Sequence, residues 1–228
     1  MNQFNGQFWL FSAIAAAIAY LIGSVSFAVI VSRIGAQDDV RRHGSGNAGM
    51  TNILRNYGKK LALFTTIGDF GKGIVAVALG RMLFSMQGIT VLDGGYIAGL
   101  FVILGHLFPL YFGFKGGKGV LTSLGVLLLL NPIVFLVLVA LLVPVVFTVK
   151  IVSLTVLLGY ALLPIFTGLV DYMQGKPVIF DVLFTLLISG IGTWMHRENI
   201  KRLINGTEYR FGQKKIIENE KDDTESAE

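Results

Sequence analysis

The residues best equipped for chemistry lie in short polar segments separated by long apolar ones. The first segment reads Arg41-Arg42-His43-Gly44-Ser45-Gly46-Asn47-Ala48-Gly49-Met50-Thr51-Asn52-Ile53-Leu54-Arg55. Glycines let a backbone turn through positive φ and approach a ligand closely, so N–H groups there can converge on an anion. Ser45, Asn47, Thr51 and Asn52 add neutral donors, and Arg55 offers a planar fork that suits phosphate. A polar turn with topology-setting arginines would have the same composition, so this segment needs company before it reads as a phosphate cradle.

Company is found further along the chain. Gly105-His106-Leu107-Phe108-Pro109 is followed by Phe112-Gly113-Phe114-Lys115-Gly116-Gly117-Lys118-Gly119-Val120. Gly116, Gly117 and Gly119 around Lys118, entering an apolar helix, set an ammonium and bare N–H groups where the helix dipole also favours an anion. The spacing is not that of a Walker A loop, and the alternative is a tight turn with a snorkelling lysine. Lys150-Ile151-Val152-Ser153 forms a third segment, and His196-Arg197-Glu198-Asn199-Ile200-Lys201-Arg202-Leu203 a fourth. On a helix His196, Asn199 and Arg202 share one face, presenting two donors and a cation together. A basic helix lying on anionic headgroups is the alternative for that segment. One phosphate-bearing substrate would account for all four segments, provided that the fold gathers them.

The elements that must gather them are membrane helices. Of 228 residues, 54% are hydrophobic and only 14% charged, far from a soluble average. A span needs about 20 mainly apolar residues. The pattern predicts spans over 8–32, 60–84 and 89–112, then an apolar run over 120–149 that is too long for one. Asn131-Pro132 divides that run, because proline disfavours a helical residue before it. The first half is short enough for a re-entrant arm, and either choice returns the chain to the face it left. Spans over 151–170 and 178–194 follow, giving an all-α integral membrane protein with seven transmembrane helices. Residues 1–212 are expected to form a single polytopic domain, and 213–228 a charged, disordered tail.

With seven crossings, Arg33, Arg41, Arg42, Arg55, Lys59, Lys60, Lys115, Lys118, Lys150 and the basic residues after 194 share one side. Only Lys72, Arg81 and Lys176 lie elsewhere. The positive-inside rule makes that side cytoplasmic, with the N-terminus outside, so the glycine-rich loops and the C-terminus face the cytoplasm. The net charge of +5 therefore reads as topology, and nucleic acid is not expected as a partner. There are no cysteines and three histidines, which excludes thiolate chemistry and disfavours a metal site; no metal or cofactor is expected. Asp69 and Lys72, three apart inside the second span, read as a mutual ion pair or as a functional intramembrane site.

Gly23-Ser24, the Gly-Ser-Gly-Asn-x-Gly-x-Thr-Asn-x-x-Arg run from Gly44 to Arg55, Gly-His-x-Phe-Pro with Gly-Gly-Lys-Gly-Val, and the His-x-x-Asn-Ile-x-Arg-Leu-x-x-Gly-x-Glu run ending at Glu208 closely resemble the bacterial acyl-phosphate:glycerol-3-phosphate acyltransferases, the PlsY family. The match runs in order from Leu21 to Glu208. The resemblance implies a seven-helix enzyme of the bacterial inner membrane with its active site on the cytoplasmic face. It implies transfer of a fatty acyl group from acyl phosphate to the sn-1 hydroxyl of glycerol 3-phosphate, giving lysophosphatidic acid. This is the first acylation of phospholipid biosynthesis, with membrane lipid as surroundings and a soluble acyl-phosphate synthase as a candidate partner. Carried over by motif, Ser45, Gly46, Thr51, Arg55, Lys118, Ser153, His196 and Asn199 form the substrate-binding and catalytic set. Two departures from the family pattern stand out, Met195 before the histidine and the Lys150-Ile151 pair in the third segment.

The His-x4-Asp dyad of other glycerolipid acyltransferases is absent, since Ala48, Tyr111 and Lys201 occupy the places of its aspartate. That argues for a substrate-assisted reaction, with His196 donating a hydrogen bond rather than serving as base. A transporter of an organic phosphate is the rival reading, for which basic loops and intramembrane charges would also serve. A metal-dependent phosphotransferase would need an aspartate cluster, and these loops offer only Asp38 and Asp39.

Overall fold

The computed structural model describes residues 4–210, and within them it has ten α-helices, two short 3-10 turns and no strand. In chain order these are α1 (Gly6–Ser24), α2 (Phe27–Ala36), α3 (Met50–Tyr57), α4 (Lys59–Met86), α5 (Gly94–Leu107), α6 (Val120–Leu130), α7 (Pro132–Val149), α8 (Val152–Met173), α9 (Val178–Met195) and α10 (Arg197–Ile204). The charged tail expected over 213–228 lies outside the described residues. Among the described residues six helical stretches are long and apolar enough to cross a membrane: α1 with α2, then α4, α5, α7, α8 and α9.

The expected first span is interrupted. Val25 and Ser26 are extended, which ends α1 and frees carbonyls that a lipid environment cannot satisfy. Lys72 of α4 satisfies them, its ammonium donating to the carbonyls of Gly23 at 3.0 Å and Val25 at 2.8 Å. Asp69 stands 3.0 Å from the same ammonium, so the expected intramembrane ion pair is present and also caps the broken helix.

Close helix approach is set by glycine. A Cβ on Gly23 would sit 2.2 Å from the carbonyl oxygen of Val102, and one on Gly105 would sit 2.2 Å from that of Tyr20, so α1 and α5 meet backbone to backbone. Gly73 and Gly125 do the same for α4 and α6. Small residues at contacts are how membrane helices associate where no hydrophobic force separates protein from lipid.

Asn131-Pro132 breaks the long apolar run as expected. The Asn131 side chain caps α7 by accepting from the N–H of Val134, with proline at the first helical position. The helix before it is shorter than a span, 11 residues, or roughly 16 Å at 1.5 Å per residue. It still runs from one end of the bundle towards the other. Thr122 near its start bonds the carbonyl of Asp69, while the carbonyl of Leu129 near its end accepts from Arg81 twelve residues along α4. One end of the bundle is closed by the Arg81–Asp93, Tyr96–Asp181 and Asn131–Asp171 contacts. The four polar segments lie at the other.

Candidate active site

The first polar segment is built around Asn52, which is 3% exposed. Its amide donates to the carbonyls of Val40, His43 and Asn47 and accepts from the N–H of Ser45 and the amide of Asn56. Every polar valence of this side chain is spent inside the loop, so Asn52 shapes the cradle rather than facing a ligand. Gly44 turns at φ +59°, and a Cβ there would strike the Asn52 Oδ1 at 2.4 Å. Asp39 anchors the segment by pairing with Arg41 and Arg33, which hold its carboxyl well below the usual carboxylate range against the opposing effect of burial. Arg41 also donates to the carbonyl of Phe112, and the N–H of Ala48 to that of Gly116, which binds the first segment to the second.

The second segment folds over the end of α5. The Gly117 N–H donates to the carbonyl of His106; a Cβ on Gly117 would lie 2.2 Å from the His106 ring nitrogen, and one on Gly116 2.0 Å from its carbonyl oxygen. These two glycines permit close packing, and Lys118 emerges directly after them. Gly119 then turns at φ +80° into α6.

Glu208 collects the third and fourth segments. Its carboxylate accepts from Ser153 at 2.8 Å, Asn199 at 2.6 Å and Arg202 at 2.7 Å, while Lys118 donates to the Asn199 Oδ1. Burial raises the Glu208 pKa, but the hydrogen bonds from Asn199, Arg202 and Ser153 outweigh it and the group sits below its ordinary value. Lys118 is pulled down to about 8, first by burial and then by Arg202 and Arg55, with Glu208 opposing. The guanidinium of Arg55 lies 3.7 Å over the ring of Tyr209, and its buried Nε has no hydrogen-bond partner among the described residues. Lys118, Arg55 and Arg202 thus outnumber the Glu208 carboxylate, while Asp69 is paired with Lys72, which leaves a surplus of positive charge suited to phosphate.

His196 is 3% exposed, and its Nδ1 lies 2.8 Å from the carbonyl oxygen of Gly192, so the proton is on Nδ1. Burial lowers the imidazole below the ordinary histidine pKa, and Lys118 adds to that, against the Gly192 bond and Glu208. The neutral ring so held presents Nε2 as a lone pair. This alters the role expected from sequence: the ring as placed receives a hydrogen bond, and donating one from Nε2 requires the imidazolium.

These side chains wall a cavity of about 410 Å³. Of the residues expected at the site, Ser45, Asn47, Thr51, Asn52, Arg55, Lys118, Gly119, Ser153, His196, Asn199 and Arg202 line it. Gly46, Gly116 and Gly117 do not, and act through the loop backbone. Glu208, Tyr209, Asp69 and His106 line it without having been singled out as site residues. Glu208 closes the last sequence motif, which was the available signal; Asp69 stood out as an intramembrane charge and His106 as part of the second segment, but nothing in the sequence showed that the two share a wall of this cavity. A second cavity, about 230 Å³ and almost wholly apolar, runs between α6, α7, α8 and α9 and shares Val120 and Val156 with the first.

A polytopic membrane bundle with a cationic, donor-rich cavity at one end and an apolar groove leading from it defines a protein that handles an amphipathic phosphate compound. Residues 13–206 match the family model for glycerol-3-phosphate acyltransferase. A glycerol-3-phosphate acyltransferase of Clostridioides difficile is 42% identical over 202 residues, 89% of this chain and 96% of that protein. The crystal structure of PlsY (YgiH), an integral membrane glycerol 3-phosphate acyltransferase, in its glycerol 3-phosphate form is similar with a TM-score of 0.77 and 32% identity, covering 88% of this chain and 96% of that one. Its lysophosphatidic acid form gives 0.74 over 88% and 95%. The chain belongs to the glycerol-3-phosphate acyltransferase family of the PlsY type.

Proposed function

We propose that the protein transfers a fatty acyl group from acyl phosphate to the sn-1 hydroxyl of glycerol 3-phosphate, releasing lysophosphatidic acid and inorganic phosphate. The observation that carries this reading is one cavity holding Lys118, Arg55 and Arg202 and opening into an apolar groove. Two phosphates and an alkyl chain need that combination. The glycerol hydroxyl oxygen attacks the acyl carbon, the bond from that carbon to the phosphate oxygen breaks, and the hydroxyl proton leaves with the phosphate. The His196 Nε2 orients the glycerol by accepting from the neighbouring sn-2 hydroxyl, which leaves the sn-1 proton free to pass to the phosphate, and the Lys118 ammonium neutralises that phosphate. Well-oriented reactants alone can contribute on the order of 7 kcal/mol or more to such a step.

The test is purified protein in detergent with glycerol 3-phosphate and either palmitoyl phosphate or palmitoyl-CoA, with lysophosphatidic acid measured. Product is expected from the first donor only, because a thiol leaving group brings no phosphate to take the proton. Turnover with the thioester alone would overturn the reading. A transporter would form no product at all in detergent. A soluble acyl-phosphate synthase would supply the donor.

The same reading sets the site on the cytoplasmic face of the bacterial inner membrane, with seven crossings counting α6 and the N-terminus outside. Exposed Lys176 and Lys201 lie at opposite ends of the bundle. Lys176→Cys is expected to react with an impermeant thiol reagent on intact cells, and Lys201→Cys only after permeabilisation. The opposite pattern would invert the topology.

A further inference from the structure

We infer that α8 is a ruler that sets the length of the acyl chain, with Gly159 as the position that keeps it open. This rests on the acyl-donor reading above and adds to it a determinant of specificity.

The apolar groove begins where the polar cavity ends, at Val120 of α6 and Val156 of α8, one turn from Ser153. Along α8 the wall is formed by Val156, Gly159, Tyr160, Leu163 and Thr167, which recur at the three- and four-residue spacing of a single helix face. Facing them are Leu138, Leu142 and Val146 of α7 and Phe184 and Ile188 of α9. The groove is closed at its far end by polar groups: Thr167, Asn131 and the hydrogen-bonded Tyr96 and Asp181. An alkyl chain gains by lying along the apolar walls, and it would lose by pushing its end among buried polar groups that already have partners.

From Val156 to Thr167 the helix rises roughly 16 Å at 1.5 Å per residue. An extended chain advances about 1.2 Å per backbone bond, so the groove holds on the order of a dozen carbon–carbon bonds beyond the mouth. That matches myristoyl to palmitoyl donors. Gly159 stands about one turn in from the mouth. A Cβ there would meet nothing within contact distance except the Leu142 terminal methyl at 2.9 Å, the far end of a flexible side chain. A larger residue at 159 is therefore accommodated by the helices but projects into the groove.

The experiment measures kcat/KM for decanoyl, myristoyl, palmitoyl and stearoyl phosphate in the full-length wild-type protein, Gly159→Ala, Gly159→Leu and Tyr96→Ala. In Gly159→Leu the ratio of the decanoyl to the palmitoyl value is expected to rise by about tenfold or more, the scale of steric discrimination in an apolar pocket. Gly159→Ala should shift it in the same direction by less. Tyr96→Ala, which removes the far wall, should raise the stearoyl value relative to palmitoyl. The KM for glycerol 3-phosphate should not move in any of the three. An unchanged chain profile in both Gly159 variants, or a uniform fall across all donors in Gly159→Ala, would overturn the ruler while leaving the acyltransferase reading intact. Absence of turnover with every acyl phosphate in the wild-type protein would instead remove the donor assignment and the ruler with it.

Discussion

Lys118→Ala is expected to lower kcat/KM for glycerol 3-phosphate by about a hundred- to a thousandfold, the usual loss when a sheltered, charge-stabilising donor is removed. The ammonium is half-enclosed by the glycine loop, Asn199 and the cations Arg202 and Arg55, so water cannot replace it at full strength. Its pKa near 8 adds a second signature. Depression of a lysine pKa means that the charged, phosphate-binding form is lost as pH rises through about 8 in the free enzyme. The kcat/KM profile should therefore have a descending limb near 8. Bound phosphate favours the ammonium, so the same limb in kcat should lie at higher pH. Lys118→Arg, which stays charged throughout, should lose the limb even where it restores only part of the rate. Near-normal turnover in Lys118→Ala would remove the phosphate cradle from the account.

What the sequence made legible was the chemistry of each segment and the order of the apolar runs. Glycine and basic residues announce themselves locally, and Asn131-Pro132 divides a uniform run because proline restricts its neighbour whatever the tertiary context. The shared face of His196, Asn199 and Arg202 followed from helical spacing, and Asn199 and Arg202 do converge on one carboxylate. What escaped were facts of long-range contact. The break at Val25 depends on Lys72, which is distant in sequence, arriving to satisfy two carbonyls. The Asp69 and Lys72 spacing suggested a pair but not that His106 would stand 3.5 Å from the same carboxylate, beneath Gly117. Asn52 looked like one more donor for a ligand, and only the loop's closure shows that its amide is already used. The brevity of the 11-residue α6 could be read from Asn131-Pro132, but not that Arg81 and Asp171 would meet its far end.

Glu208→Ala is expected to damage catalysis more than His196→Gln, and that order bears on where the proton goes. Glu208 touches Ser153, Asn199 and Arg202, and through Asn199 it holds Lys118. Without it Asn199 and Ser153 lose a buried acceptor, each unsatisfied group costing about 1–3 kcal/mol, and three substrate-facing side chains lose their common anchor. Turnover should fall by more than about a hundredfold, the scale of a lost preorganised contact, with reduced thermal stability in detergent. His196→Gln removes only the ring. The glutamine Oε1 can still accept the orienting hydrogen bond from the neighbouring sn-2 hydroxyl, although it is far too weak a base to take a proton. A phosphate that accepts the proton itself needs no more than that orientation, so the glutamine variant should keep measurable turnover. Its acid limb should also flatten, since wild-type activity is expected to fall at low pH as the imidazole, whose pKa lies below the ordinary value, takes up a proton and loses its lone pair. A histidine base would contribute about a hundred- to ten-thousandfold, and its loss in a folded, substrate-binding Gln variant would match or exceed the loss in Glu208→Ala. Measuring both variants against palmitoyl phosphate, with glycerol 3-phosphate binding checked by calorimetry, separates the two schemes; abolished turnover in His196→Gln with binding intact would transfer the proton from the phosphate to the imidazole.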